Sequence, residues 1–97
     1  MDRRLAARFA ANLRRLRDEA DLTQEELAFR AGIHRTQVSL MEAGERLPRY
    51  ETLVRLVGGL GVEAADLFDG IAWTPHVETK GVLVVETPPK SDNDGRA

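Results

Sequence analysis

Apolar residues recur at three- and four-residue spacing through the first two thirds of the chain. Leu5, Phe9, Leu13, Leu16 and Ala20 form one stripe, which predicts an amphipathic helix over residues 2–20 with its Arg-rich side outward. In "DLTQEELAFRAG", Thr23 and Glu26 stand at capping-box spacing, Leu27, Ala28 and Ala31 give an inner face, and Gly32 is a stop, so a second helix runs from Thr23 to Ala31. The pattern resumes with Val38 and Met41 inside "IHRTQVSLMEAGE", a third helix that must cross the second steeply. So short a helix is marginal alone and depends on its neighbours. "AGERLPRYE" reads as a loop, Tyr50, Leu53, Val54, Leu56, Val57 and Leu60 as a fourth helix ending at Gly61, and "VEAADLF" as a fifth, Glu63–Phe68, closed by Gly70.

Beyond Gly70 the period changes. "WTPHVETKGVLVVETPP" is rich in Val and Thr and has Lys80-Gly81 at a turn position, which predicts a β-hairpin of Val77–Thr79 against Val82–Glu86. The last residues, "KSDNDGRA", have nothing to bury and read as a disordered tail. The organisation expected is residues 1–70 as a helical domain, 71–89 as the hairpin element and 90–97 as the tail.

Composition narrows the chemistry. Ninety-seven residues, 42% of them hydrophobic, suit one modest core and argue against a large interdomain cleft. No cysteine is present, which removes disulfides, thiolate metal sites and a cysteine nucleophile and favours a cytoplasmic home. Charges interrupt every apolar run, so neither a signal peptide nor a membrane span is expected. The net charge of -2 argues against nucleic acid at first sight, but residues 1–50 hold ten Arg against eight acids and residues 51–97 hold four cations against eight. Twelve of the fourteen cations are Arg, the side chain whose planar fork suits phosphate.

From Leu13 to Phe68 the ordered set L-T-Q-E-E-L-A, A-G-I, V-S-x-x-E-x-G, P-x-x-E-T-L and L-G-V resembles the Cro/C1-type (Xre-like) helix-turn-helix family of phage repressors and small bacterial transcriptional regulators. The resemblance implies a mainly α fold, a five-helix lambda-repressor-like domain, here with a C-terminal β-hairpin extension. It implies double-stranded DNA as the ligand, with the third helix in the major groove and the second laid across the backbone. The matching positions are Arg35, Thr36 and Ser39, with Gln37 beside them and Leu40 on the flank. Arg35 would grip guanine O6 and N7, Thr36 and Ser39 would bond a base or a phosphate, and Leu40 would meet a thymine methyl. Phosphate contacts fall to Gln24, to the amides at helix starts, and to Arg46 and Arg49.

Two positions depart from the family pattern. His34 replaces a Ser or Thr cap, leaving its imidazole to cap, to meet a phosphate or to do nothing; Arg49 replaces a small hydroxyl residue and puts a cation near the DNA backbone. The resemblance also implies an ion pair between Arg17 and Glu42, a mark of the fold and not a catalytic dyad.

Other chemistries find little footing. His34 and His76 lie in separate elements with no ligand spacing between them, "GxSxG" is absent, and "GGLG" at 58–61 follows a helix, so no catalytic residue, metal or cofactor is expected. The hairpin carries more apolar surface than so short an element covers, which leaves folding back onto the helices or pairing with a second copy. A homodimer is preferred because a twofold assembly reads two half-sites, with Phe68, Trp73, Val82 and Val84 at its interface and Leu60 and Val62 extending it. The alternative is an antitoxin-type module whose tail binds a protein partner.

Overall fold

The computed structural model describes residues 1–75 and 81–88. Five helices, α1 (Arg3–Glu19), α2 (Gln24–Ala31), α3 (Arg35–Glu42), α4 (Tyr50–Leu60) and α5 (Ala64–Leu67), precede strands β1 (Ile71–Thr74) and β2 (Val82–Val85). Local chemistry marks several of the helix ends. The Asp2 carboxylate accepts from the amides of Arg4 and Leu5 at 2.9 and 3.1 Å and caps α1. Thr23 and Glu26 exchange two bonds, 3.0 and 2.8 Å long, and cap α2. Gly32 then takes a left-handed φ of 70°, which lets the Ile33 amide return to the Ala28 carbonyl and aims the chain into α3.

Every helix contributes to one core: Leu13 from α1, Leu27 from α2, Val38 and Met41 from α3, Leu56 from α4 and Leu67 from α5 are all fully buried. Burying a large aliphatic side chain stabilises by roughly 1.5–3 kcal/mol, which is what keeps the short α3 helical. The α2–α4 crossing is closest at Gly59, where a Cβ would lie 3.1–3.2 Å from the Ala31 backbone and side chain; the Arg30 guanidinium donates to the Gly59 carbonyl at 2.7 Å across the same crossing.

The antiparallel hairpin expected after the helices is present. Val77–Thr79 lies outside the described residues, and the strand that pairs with β2 is Ile71–Thr74, antiparallel, with Ile71 opposite Val85 and Trp73 opposite Leu83. Gly70, at φ 79°, turns the chain straight from α5 into β1, and the Glu86 amide donates to its carbonyl at 2.8 Å. Gly81 sits under Trp73: a Cβ there would come within 2.5 Å of the indole.

Two polar side chains of α1 hold the connection from α5 to the hairpin, and one of them also reaches the chain after β2. Arg8, only 7% exposed, donates to the carbonyls of Asp69 (2.9 Å) and Thr87 (3.1 Å) and pairs with the Asp69 carboxylate at 2.8 Å. Asn12, fully buried, donates to the carbonyls of Leu67 and Asp69 at 3.0 and 2.9 Å. The Arg-rich side of α1 is therefore not wholly outward, since a long guanidinium can pay its desolvation cost with several carbonyl bonds. Leu60 is also corrected: it is 6% exposed, part of the core and unavailable to an interface.

Candidate nucleic-acid interface

The third helix is two-sided. Val38, Met41 and Glu42 are buried, while Arg35 and Thr36 are exposed and Ser39 and Leu40 half-buried, so one helix divides along its length into an anchored stripe and an outward one. The anchor combines the apolar Val38 and Met41 with a buried ion pair. Arg17 on α1 donates from Nε to Glu42 Oε2 at 2.6 Å and from Nη2 to Oε1 at 2.9 Å, with the carboxylate 1% exposed. Its third contact is Nη1 to the Leu22 carbonyl at 2.8 Å. The hydrogen bonds it donates to Glu42 hold the Arg17 guanidinium above its ordinary pKa, burial working in the opposite direction. Arg14 donates to the Glu42 backbone carbonyl at 3.1 Å, putting a cation at the C-terminal end of α3.

The same carboxylate orients the second helix. Gln24 Nε2 donates to Glu42 Oε1 at 3.0 Å, and Gln24 Oε1 accepts from Ser39 Oγ at 2.9 Å. Gln24 and Ser39, read from the sequence as independent contacts, are thus members of one chain of bonds that starts at Arg17. Gln37 also has an internal role: its side-chain carbonyl accepts from the His34 amide at 3.1 Å, closing the start of α3. The His34 imidazole itself supplies no cap to α3, and the Arg49 side chain supplies none to α4.

Arg35, Arg46 and Arg49 are exposed, and their guanidinium groups find no partner among the described residues. Arg46 and Arg49 line a groove between the α2–α3 turn and the start of α4, together with Gln37, Pro48, Thr52 and Arg55. Arg55 is held by Glu51 at 3.0 Å, which leaves the loop cations as the unpaired ones on that side. Among the described residues no cluster of His, Asp and Glu has the geometry of a metal site, and no helix is long and apolar enough to cross a membrane.

This arrangement has relatives. A helix-turn-helix family model matches residues 13–67. The chain belongs to the helix-turn-helix family. Within the family, it is 40% identical over 65 residues to the HTH-type transcriptional regulator y4dJ of Sinorhizobium fredii, covering 67% of this chain and 84% of that one. It is 34% identical over 62 residues to the control protein C.BamHI of Bacillus amyloliquefaciens, covering 63% and 76% respectively. Among solved structures, the restriction-modification controller protein C.AhdI from Aeromonas hydrophila superposes with a TM-score of 0.63 at 35% identity, over 65% of this chain and 96% of that one. Helix-turn-helix membership makes the chain a DNA-binding transcriptional regulator, and the matched span ends at the last residue of α5.

Arg8 and Asn12 are the residues that sequence reasoning missed. The available signal was a polar Asn12 on the same helical face as Phe9 and Leu13, an arrangement that needs a buried partner. Nothing in the local sequence names that partner, because it lies across the fold at Leu67 and Asp69.

Proposed function

We propose that the chain is a cytoplasmic, sequence-specific transcriptional repressor that binds double-stranded DNA as a homodimer. The observation that carries this reading is the division of α3: its inner stripe is fixed by Val38, Met41 and the Arg17–Glu42 pair, and its outer stripe offers Arg35 and Thr36 unpaired. A rigid helix with a free guanidinium near its start suits bidentate recognition of guanine O6 and N7. Thr36 and Ser39 then face base edges, Leu40 lies against a thymine methyl or leaves discrimination to Arg35 and DNA shape, and Gln24, His34, Gln37, Arg46 and Arg49 face the sugar-phosphate backbone.

Dimerisation is supported by the hairpin. Its Val82 and Val84, 47% and 42% exposed, share one face as an open apolar surface, while Trp73, 59% exposed, lies on the other face opposite Leu83, and Phe68 before the first strand is 44% exposed. A second copy packed on that patch would bring two α3 helices to half-sites about 34 Å apart. Val84→Asp should shift the chain from dimer to monomer in sedimentation and weaken operator binding; an unchanged dimer would remove the hairpin from the interface.

The binding test is a gel shift on a selected operator over a salt series. Affinity should fall steeply with salt as counterions are released, and Arg35→Ala should lose about 1–3 kcal/mol on the cognate site while relaxing one base preference. Wild-type affinity in that variant would remove Arg35 from the readout.

A further inference from the structure

The bond chain from Arg17 to Ser39 has a direction. Glu42, buried and paired with Arg17 through both oxygens, can only accept. The Gln24 amide therefore turns its NH2 group to Glu42, which leaves its carbonyl oxygen 2.9 Å from Ser39 Oγ. Two oxygens at that distance share one hydrogen, and an amide carbonyl has none to give, so the Ser39 hydroxyl is the donor. Its single proton is committed, and what it presents outward is lone pairs.

We infer that Ser39 reads the operator as a hydrogen-bond acceptor, from a base that carries an exocyclic amine in the major groove, adenine N6 or cytosine N4, with Gln24 as the positioning residue that fixes its polarity. This rests on the major-groove reading proposed above. Guanine O6 and N7 and thymine O4 are acceptors, and they meet the Ser39 oxygen lone pair to lone pair. Phosphate oxygens are excluded on the same ground. Donation to any of these would require Ser39 to leave Gln24, stranding the Gln24 carbonyl beside the protein.

The test uses the full chain and base analogues in a selected operator. Ser39→Ala first identifies the base pair that depends on this side chain, and Ser39→Thr, which keeps the hydroxyl, should retain that dependence. At that pair the amine is then deleted, with purine in place of adenine or pyrimidin-2-one in place of cytosine. Deletion should cost the wild type about tenfold in affinity beyond what it costs Ser39→Ala, the scale of one hydrogen bond. Altering the keto group of the opposite base should affect both proteins equally. In Gln24→Leu, where the hydroxyl is free to turn, the excess dependence on the amine should disappear.

Coupling of Ser39 to the keto group instead, a Ser39 effect that no base pair accounts for, or full amine dependence in Gln24→Leu would each overturn the proposal. Failure of every protein to select any sequence would overturn the major-groove reading beneath it, a result distinct from these three. Whether the amine belongs to adenine or cytosine follows from which analogue carries the effect.

Discussion

Two guanidinium groups on different turns of α1 hold two different parts of the molecule. Arg17 clamps the C-terminal part of α3 through Glu42, a carboxylate 1% exposed, whereas Arg8 clamps the hairpin through Asp69, whose side chain is 60% exposed, and through two backbone carbonyls. In the first clamp both charges are withdrawn from water, so each depends on the other. In the second only the cation is withdrawn, and backbone carbonyls share the task with a solvated acid. In α3 a buried ion pair backs the apolar anchors Val38 and Met41, while the hairpin is held by several bonds of which each is dispensable in part.

The largest effect should follow from breaking the first clamp on one side. Arg17→Ala leaves the buried Glu42 with only the longer Arg14 contact at 3.8 Å for a cation and should cost about 3–5 kcal/mol in urea unfolding. The double replacement Arg17→Met with Glu42→Leu should recover most of that loss, because the charge is gone from both sides. If the single and double variants were equally unstable, mutual dependence would not be the basis of the clamp.

Arg8→Met should cost less, about 1–3 kcal/mol, because carbonyls near the surface are re-solvated. Hydrogen exchange should then accelerate at Ile71–Thr74 and Val82–Val85 while α2 and α3 keep their protection. Gly70→Ala should produce the same pattern for a different reason: it puts a Cβ 2.6 Å from Arg8 Nε at a φ of 79°. Its cost, roughly 1–3 kcal/mol, should shrink when combined with Arg8→Met, since the two act on one contact. Equal loosening of α3 in either variant would merge the two clamps into one cooperative unit.

The smallest effect belongs to the start of α1, the helix that carries both clamps. Bonds from the Leu5 amide, and then from Arg4, hold the Asp2 carboxyl below its ordinary pKa. A lowered folded pKa contributes stability above the unfolded value that is lost as pH falls through the folded one. Asp2→Asn should therefore flatten a shallow decline in thermal stability below about pH 4.

The helices were largely legible in the sequence, because their apolar stripes are periodic and Thr23, Gly32 and Gly61 mark ends by local chemistry, whereas the Asp2 cap of α1 was not singled out. The hairpin was legible as an element, but not the strand that pairs with β2. Propensity favoured Val77–Thr79, which adjoins a turn-like Lys80-Gly81, over Ile71–Thr74, whose position is set at a distance by Arg8, Gly70 and the strand register. Tyr50 and Val54 fit the apolar stripe of α4 yet are 82% and 53% exposed, since that stripe is wider than the face α2 covers. The outward residues of α3 could be named from the resemblance, but not the bonds joining Gln24 to Ser39: spacing within a helix says nothing about which side chain from another helix meets it.

Under the proposed function, α3 is locked on its inner side and reads a groove with its outer one. Selection of bound DNA from a random pool by the wild-type chain tests this most directly. Selection should return a twofold-symmetric consensus with half-sites one helical turn apart, and a guanine in each half-site whose enrichment vanishes with Arg35→Ala. Absence of any enriched sequence, or a consensus unchanged by Arg35→Ala, would contradict it.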